Sequence, residues 1–97
     1  MISITPKELK QLLSDPAIFL VDVREQHEHD EYNIGGLLIP LGEIVTRIHE
    51  IPTEQKVVLY CKRGIRSMIA IQKLHLKNPQ LNLFNLSGGM EAWKTSC

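Results

Sequence analysis

Apolar positions along this chain follow two rhythms. Apolar runs occur at "IFLVDV" (residues 18–23), interrupted only by Asp22, and "VVLY" (57–60), and "LNLFNL" (81–86) is apolar apart from Asn82 and Asn85. Short runs of that kind predict strands. "GGLLIP" (35–40) reads as a further short strand between breakers. Between the strands the spacing becomes helical. "TPKELKQLL" opens a helix in which Thr5 caps, Pro6 takes the first helical position and Glu8 closes a capping box. "SDPA" breaks it. "REQHEHDEY" is polar, with room for a short helical turn, and "LGEIVTRIHEI" predicts a helix through Leu41, Ile44, Val45 and Ile48. Ser67 to about Lys77 predicts another, ended by "NP", with Met68, Ile69, Ile71 and Leu74 assigned to the core. "SGGMEAW" starts a last helix with Ser87 as cap and Trp93 in the core.

Strands alternating with helices imply crossover connections, so the expected fold is α/β: a mostly parallel sheet with helices on both faces. "IFLV" and "VVLY" lack a polar alternation, as strands covered on both sides do. No repeat, linker or low-complexity segment interrupts the pattern, and 97 residues predict a single domain over residues 1–97.

Charge narrows the partners. Eleven basic and eleven acidic residues cancel, where a nucleic-acid-binding domain carries a basic excess. No apolar run approaches the roughly 18 residues of a membrane span. "MISITPKELKQLL" has no cationic start followed by an apolar block. The expectation is a cytoplasmic protein with neither nucleic-acid nor membrane partners.

Candidate chemistry concentrates at "VVLYCKRGIRS". Cys61 ends a strand, and ligands of open parallel sheets sit beyond the carboxyl ends of their strands. Gly64 permits unusual backbone angles, and Ser67 starts a helix. Amides of a tight loop before a helix form an anion-binding nest, to which Lys62, Arg63 and Arg66 add positive charge. Such a setting favours a thiolate. The alternative is a small buried residue at a strand end. Cys97, the only other cysteine, is the last residue and is expected to be dispensable. Two cysteines make no disulfide scaffold, no C-x-x-C occurs, and "HEHD" (27–30) reads as a solvated face rather than a metal site.

A cysteine phosphatase needs C-x5-R to encircle a phosphoryl group, whereas Arg66 stands one residue early here, giving C-x4-R-S. A smaller ring of amides suits a smaller target, such as the terminal sulfur of a persulfide. At this point the chain resembles a rhodanese homology domain. "LVDVRE" (20–25), "IPLGEI" (39–44), "VVLYCKRGIRS" (57–67) and "LSGGMEAW" (86–93) are similar to that family's blocks, in order and over nearly the whole chain. One block departs: "YNIGGLL" replaces the usual Gly-His-Ile-Pro-Gly-Ala-like segment, one residue shorter, and His29 stands where an aromatic is common.

The resemblance implies a three-layer fold with a five-stranded sheet flanked by helices, and a sulfurtransferase in which Cys61 is the nucleophile. Lys62, Arg63, Gly64, Ile65, Arg66 and Ser67 would bind substrate, and Asp22 and Arg24 would support the loop structurally. No metal or organic cofactor is implied. Donor and acceptor would be small molecules or proteins, including a partner in a sulfur relay. "LIPLGE" resembles modules appended to ubiquitin-like-protein-activating enzymes of sulfur-carrier pathways. A carrier or docking module is the competing reading, and a phosphatase or arsenate reductase a third.

Overall fold

The computed structural model describes residues 2–96. Five strands form one sheet: β1 (Ser3–Ile4), β2 (Ile18–Asp22), β3 (Leu37–Leu38), β4 (Lys56–Tyr60) and β5 (Asn82–Leu86). Their order is β1-β5-β4-β2-β3, and every pairing is parallel. Four of these strands follow from apolar patterning. β1 has only two residues, too few for any periodicity, and forms because β5 offers it an edge: the amide of Asn85 donates to Ile2 O and that of Ser87 to Ile4 O.

Three helices connect strands, α1 (Pro6–Leu12), α2 (Gln26–Glu31) and α3 (Ile65–Lys77), and α4 (Gly89–Thr95) follows β5. The capping box on α1 is present as the sequence requires: the Glu8 amide donates to the Thr5 hydroxyl at 3.1 Å, and Glu8 Oε1 accepts from the Thr5 amide at 3.0 Å. Successive side chains of a strand face opposite sides. Val57, Leu59 and Cys61 therefore pack with Ala70, Ile71 and Leu74 of α3. Val58 and Tyr60 pack on the other face with Leu9 of α1 and Met90 of α4. Trp93 is partly buried against that second layer, with the Lys10 ammonium 4.9 Å from its ring centre.

Four expectations are corrected. Residues 41–51 form two 3-10 turns, Leu41–Glu43 and Ile48–Glu50, instead of one α-helix. The segment is held between Pro40 and Pro52, and Gly42 with β-branched Ile44, Val45, Thr46 and Ile48 weakens helix propagation. Its apolar spacing still marks burial, since Ile44 and Ile51 are buried and Leu41, Val45 and Ile48 pack against the same core. α3 starts two residues before Ser67, because Gly64 takes the cap position in a left-handed conformation (φ +96°). α4 is likewise capped by Gly88, and Ser87 makes no cap bond. Finally, Met68 and Ile69 are exposed rather than in the core, where Ser67, Ala70, Ile71 and Leu74 form the inward line of α3.

Chain direction across the sheet reverses between β2 and β4. From β2 the chain proceeds to β3 on one side, and from β4 to β5 on the other. Asp22 and Tyr60 are register partners at the ends of those central strands. The crevice beyond this point is where open α/β sheets place ligands, and Cys61 is the next residue along.

Candidate functional site

Cys61 is 1% exposed, at the base of a cleft of about 260 Å³ lined by Lys62, Arg63, Ile65 and Arg66. Its Sγ accepts from the Gly64 amide at 3.1 Å and the Ser67 amide at 3.4 Å, and lies 3.4 Å from the Ser67 hydroxyl. Burial pushes the thiol pKa up. The Ser67 hydroxyl and the amides of Ser67, Gly64 and Arg63 together outweigh it, so the net displacement is downward, towards thiolate. The groups that touch the sulfur are therefore amides and a hydroxyl, with the cationic side chains further out.

The ring of donors is held from outside the loop. Asn85 of β5 is buried, donating from Nδ2 to Gly64 O at 3.2 Å and accepting from the Ser67 hydroxyl. A carbonyl oxygen only accepts, so the amide nitrogen must face Gly64 and the amide oxygen must face Ser67. Asn85 thus pins both residues that donate to Sγ, and it competes with the sulfur for the single Ser67 proton. From the other side, α4 directs the amides of Met90 and Glu91 at the carbonyls of Cys61 and Lys62, at 2.8 and 3.0 Å. This approach requires Gly89, because a Cβ there would lie 2.6 Å from the Lys62 carbonyl carbon and would also overlap Cys61 O.

The three loop cations differ. Arg66 is clamped bidentately by Glu28 of α2, at 2.7 and 2.9 Å. Arg63 pairs with Glu91 at 3.1 Å, both largely exposed. Lys62 makes no ion pair among the described residues, and it lines both this cleft and a neighbouring one of about 390 Å³ bounded by Arg24, Glu28, Tyr32 and Lys94. Ile65 lies exposed at the cleft mouth. Cys97 lies outside the described residues.

Asp22 and Arg24 stand beside the loop as a buried unit. Arg24 Nε and Nη2 donate to the Asp22 carboxylate at 2.9 and 2.8 Å, and Nη2 also reaches Tyr32 O at 2.7 Å. His29 Nδ1 lies 2.9 Å from Asp22 Oδ2. The "HEHD" patch is therefore only half solvated: His27 and Asp30 are exposed, whereas Glu28 and His29 turn inward. In the departing segment, Asn33 bridges His29 O and the Gly35 amide, both at 2.8 Å, and Gly35 O accepts from the Tyr60 hydroxyl at 2.9 Å.

Sequence reasoning missed Asn85, Glu28, His29 and Gly89 as supports. Asn85 had a signal. Alternation along β5 puts it in line with buried Leu81 and Leu83, and a polar residue on a core face requires a partner. Glu28 and His29 had none, because their partners are distant in sequence.

The Glu28–Arg66 clamp gives a pH signature. The Arg66 hydrogen bonds hold the Glu28 carboxyl at about 2 rather than 4.5; burial opposes them and the Glu25 amide assists. A depressed carboxyl pKa adds stability above about 4.5 that is lost as pH falls towards about 2. Glu28→Gln should flatten the decline of melting temperature across that window. An unchanged slope would show that the clamp contributes nothing to stability.

Comparison with known proteins identifies the family. The family model of the rhodanese-like domain matches residues 5–96. The YqhL protein of Bacillus subtilis is 41% identical over 75 residues, covering 76% of this chain and 59% of its own length. A sulfurtransferase of Allochromatium vinosum is 36% identical over 92 residues, covering 93% of this chain and 85% of its own. The crystal structure of a rhodanese-like domain protein from Staphylococcus aureus superposes with a TM-score of 0.84 at 30% identity, over 96% of this chain and 91% of that one. The chain belongs to the rhodanese-like domain family. It spans about three fifths of the Bacillus relative.

Proposed function

We propose that this chain is a sulfurtransferase that carries sulfane sulfur as a persulfide on Cys61. The family and the sulfurtransferase among its relatives support a role in sulfur transfer in general. The observation that carries the finer reading is the Cys61 sulfur, which faces a small cleft while the Gly64 and Ser67 amides and the Ser67 hydroxyl converge on it.

The Cys61 thiolate attacks the sulfane sulfur of a donor such as thiosulfate, a small persulfide or a protein persulfide. The Sγ–S bond forms, the donor's S–S bond breaks, and its electron pair leaves with the donor remnant. Rates of such displacements follow thiolate fraction, nucleophilicity and leaving group. Preorganised donors around the loop stabilise the anionic sulfur. A nucleophilic acceptor then takes the outer sulfur and returns Cys61 to thiolate. Neither step calls for a metal or organic cofactor.

Thiosulfate without acceptor should load one sulfur atom onto the protein, read by intact mass. Cyanide should strip it and release thiocyanate over many turnovers. Loading without turnover would favour a dedicated carrier. No loading from thiosulfate, cysteine persulfide or a persulfidated protein would reject both.

A further inference from the structure

The outer face of α3 carries apolar side chains that the fold does not use. Ile65 is 61% exposed, Met68 38%, Ile69 37% and Leu76 85%. They recur at i, i+3, i+4 and i+11, which places them on one side of a helix, opposite the buried line Ser67, Ala70, Ile71 and Leu74. Four of the seven exposed large apolar residues among those described lie on this one face. The stripe begins at the mouth of the Cys61 cleft, which Ile65 lines.

The formally charged side chains of α3 itself are Arg66, Lys73 and Lys77, all basic, and of these Arg66 is paired with Glu28. Lys73 and Lys77 are exposed on α3 beside Leu76, and neither forms an ion pair among the described residues. An isologous contact with a second copy would set these cations against themselves, which is destabilising. An acidic surface with an apolar centre is complementary to it.

The geometry points to a docking surface: we infer that the α3 face Ile65–Met68–Ile69–Leu76, with Lys73 and Lys77, seats an acidic protein that exchanges sulfur with Cys61. This deepens the proposed sulfur transfer and rests on it. The cleft of about 260 Å³ is too small for a folded surface to enter, so the partner's reacting sulfur sits on a protruding segment. In the forward direction the partner thiolate attacks the outer sulfur of the Cys61 persulfide. A new S–S bond forms on the partner, the Cys61 Sγ–S bond breaks, and its electron pair stays on Sγ as thiolate.

The probe is a synthetic peptide with one terminal cysteine and alternating Leu and Glu residues, long enough to run from Leu76 to the cleft, roughly 16 Å along the helix at 1.5 Å per residue. Its control has Lys in place of every Glu. The persulfide-loaded protein should pass sulfur to the acidic peptide at least about tenfold faster than to the basic one, within the range that electrostatic steering gives. The preference should shrink as salt shortens the Debye length from about 30 Å to about 8 Å. Met68→Glu with Leu76→Glu, or Lys73→Glu with Lys77→Glu, should abolish it while leaving cyanide turnover unchanged. All four positions are exposed, and thermal melting checks that the variants fold. Equal rates for both peptides, a preference that survives both variants, or a wild-type dimer that Met68→Glu dissolves would each overturn the docking surface. Absence of loading or cyanide turnover in the wild type would instead overturn the sulfur-transfer reading beneath it.

Discussion

Cys61→Ser should remove the extra sulfur mass completely after incubation with thiosulfate, and turnover with cyanide should fall to background. The argument rests on nucleophilicity. A thiol set among the Gly64 and Ser67 amides and the Ser67 hydroxyl is displaced towards thiolate, whereas a serine hydroxyl without an activating base is a poor nucleophile. Among the described residues no histidine hydrogen-bonds to the Cys61 sulfur, whose partners are Gly64 and Ser67; His29 is engaged with Asp22, and His75 with Leu81 O. The fold should survive, because the exchange is nearly isosteric and the amides that met the sulfur remain to meet the hydroxyl. A stability change of about 1 kcal/mol is the expected scale for one altered buried hydrogen-bonding group. Peptide mapping of the loaded wild type should place the sulfur on Cys61. Finding it on Cys97, or finding full transfer in the folded serine variant, would require a different nucleophile.

Gly89→Ala should be nearly as damaging without touching the sulfur. Gly89 has φ +59° at the start of α4, and an added Cβ would overlap the backbone of Cys61 and Lys62. Neither obstacle is a flexible side-chain tip, so the clash is relieved only by moving α4 or the loop. Left-handed backbone cost and overpacking together imply a loss of roughly 2–4 kcal/mol of stability. The functional loss should be larger than that implies even at temperatures where the variant is folded. Met90 and Glu91 would no longer hold the Cys61 and Lys62 carbonyls at 2.8 and 3.0 Å. A displacement of about 1 Å in a reacting group costs on the order of 100-fold in rate. Cyanide turnover by the folded variant at or near the wild-type rate would show that α4 does not set the loop.

Local rules made much of this protein legible in one dimension. Apolar runs reported β2 and β4 because parallel strands are covered on both faces, the apolar-rich segment 81–86 reported β5, and the Thr5–Glu8 box reported α1 because its partners are three residues apart. The cysteine at the end of β4, followed by a glycine and a helix start, marked the candidate site for the same reason: its strand, loop and helix are contiguous in sequence. The spacing in 41–51 marked which side chains are buried but not the backbone they hang from, since 3-10 and α geometries bury similar positions over so short a span.

Tertiary structure alone decided the rest. The two-residue β1 exists only against the edge of β5. Arg66 and Arg63 looked like free cations, yet Glu28 and Glu91 reach them from 38 and 28 residues away. Asn85, 18 residues beyond Ser67, governs the hydroxyl beside the sulfur. Met68 and Ile69 have the spacing of core residues, but α3 has two apolar faces and only packing chooses the inner one. Periodicity records which residues share a side of an element; it does not record which side another part of the chain will cover, or which charges that covering brings within reach.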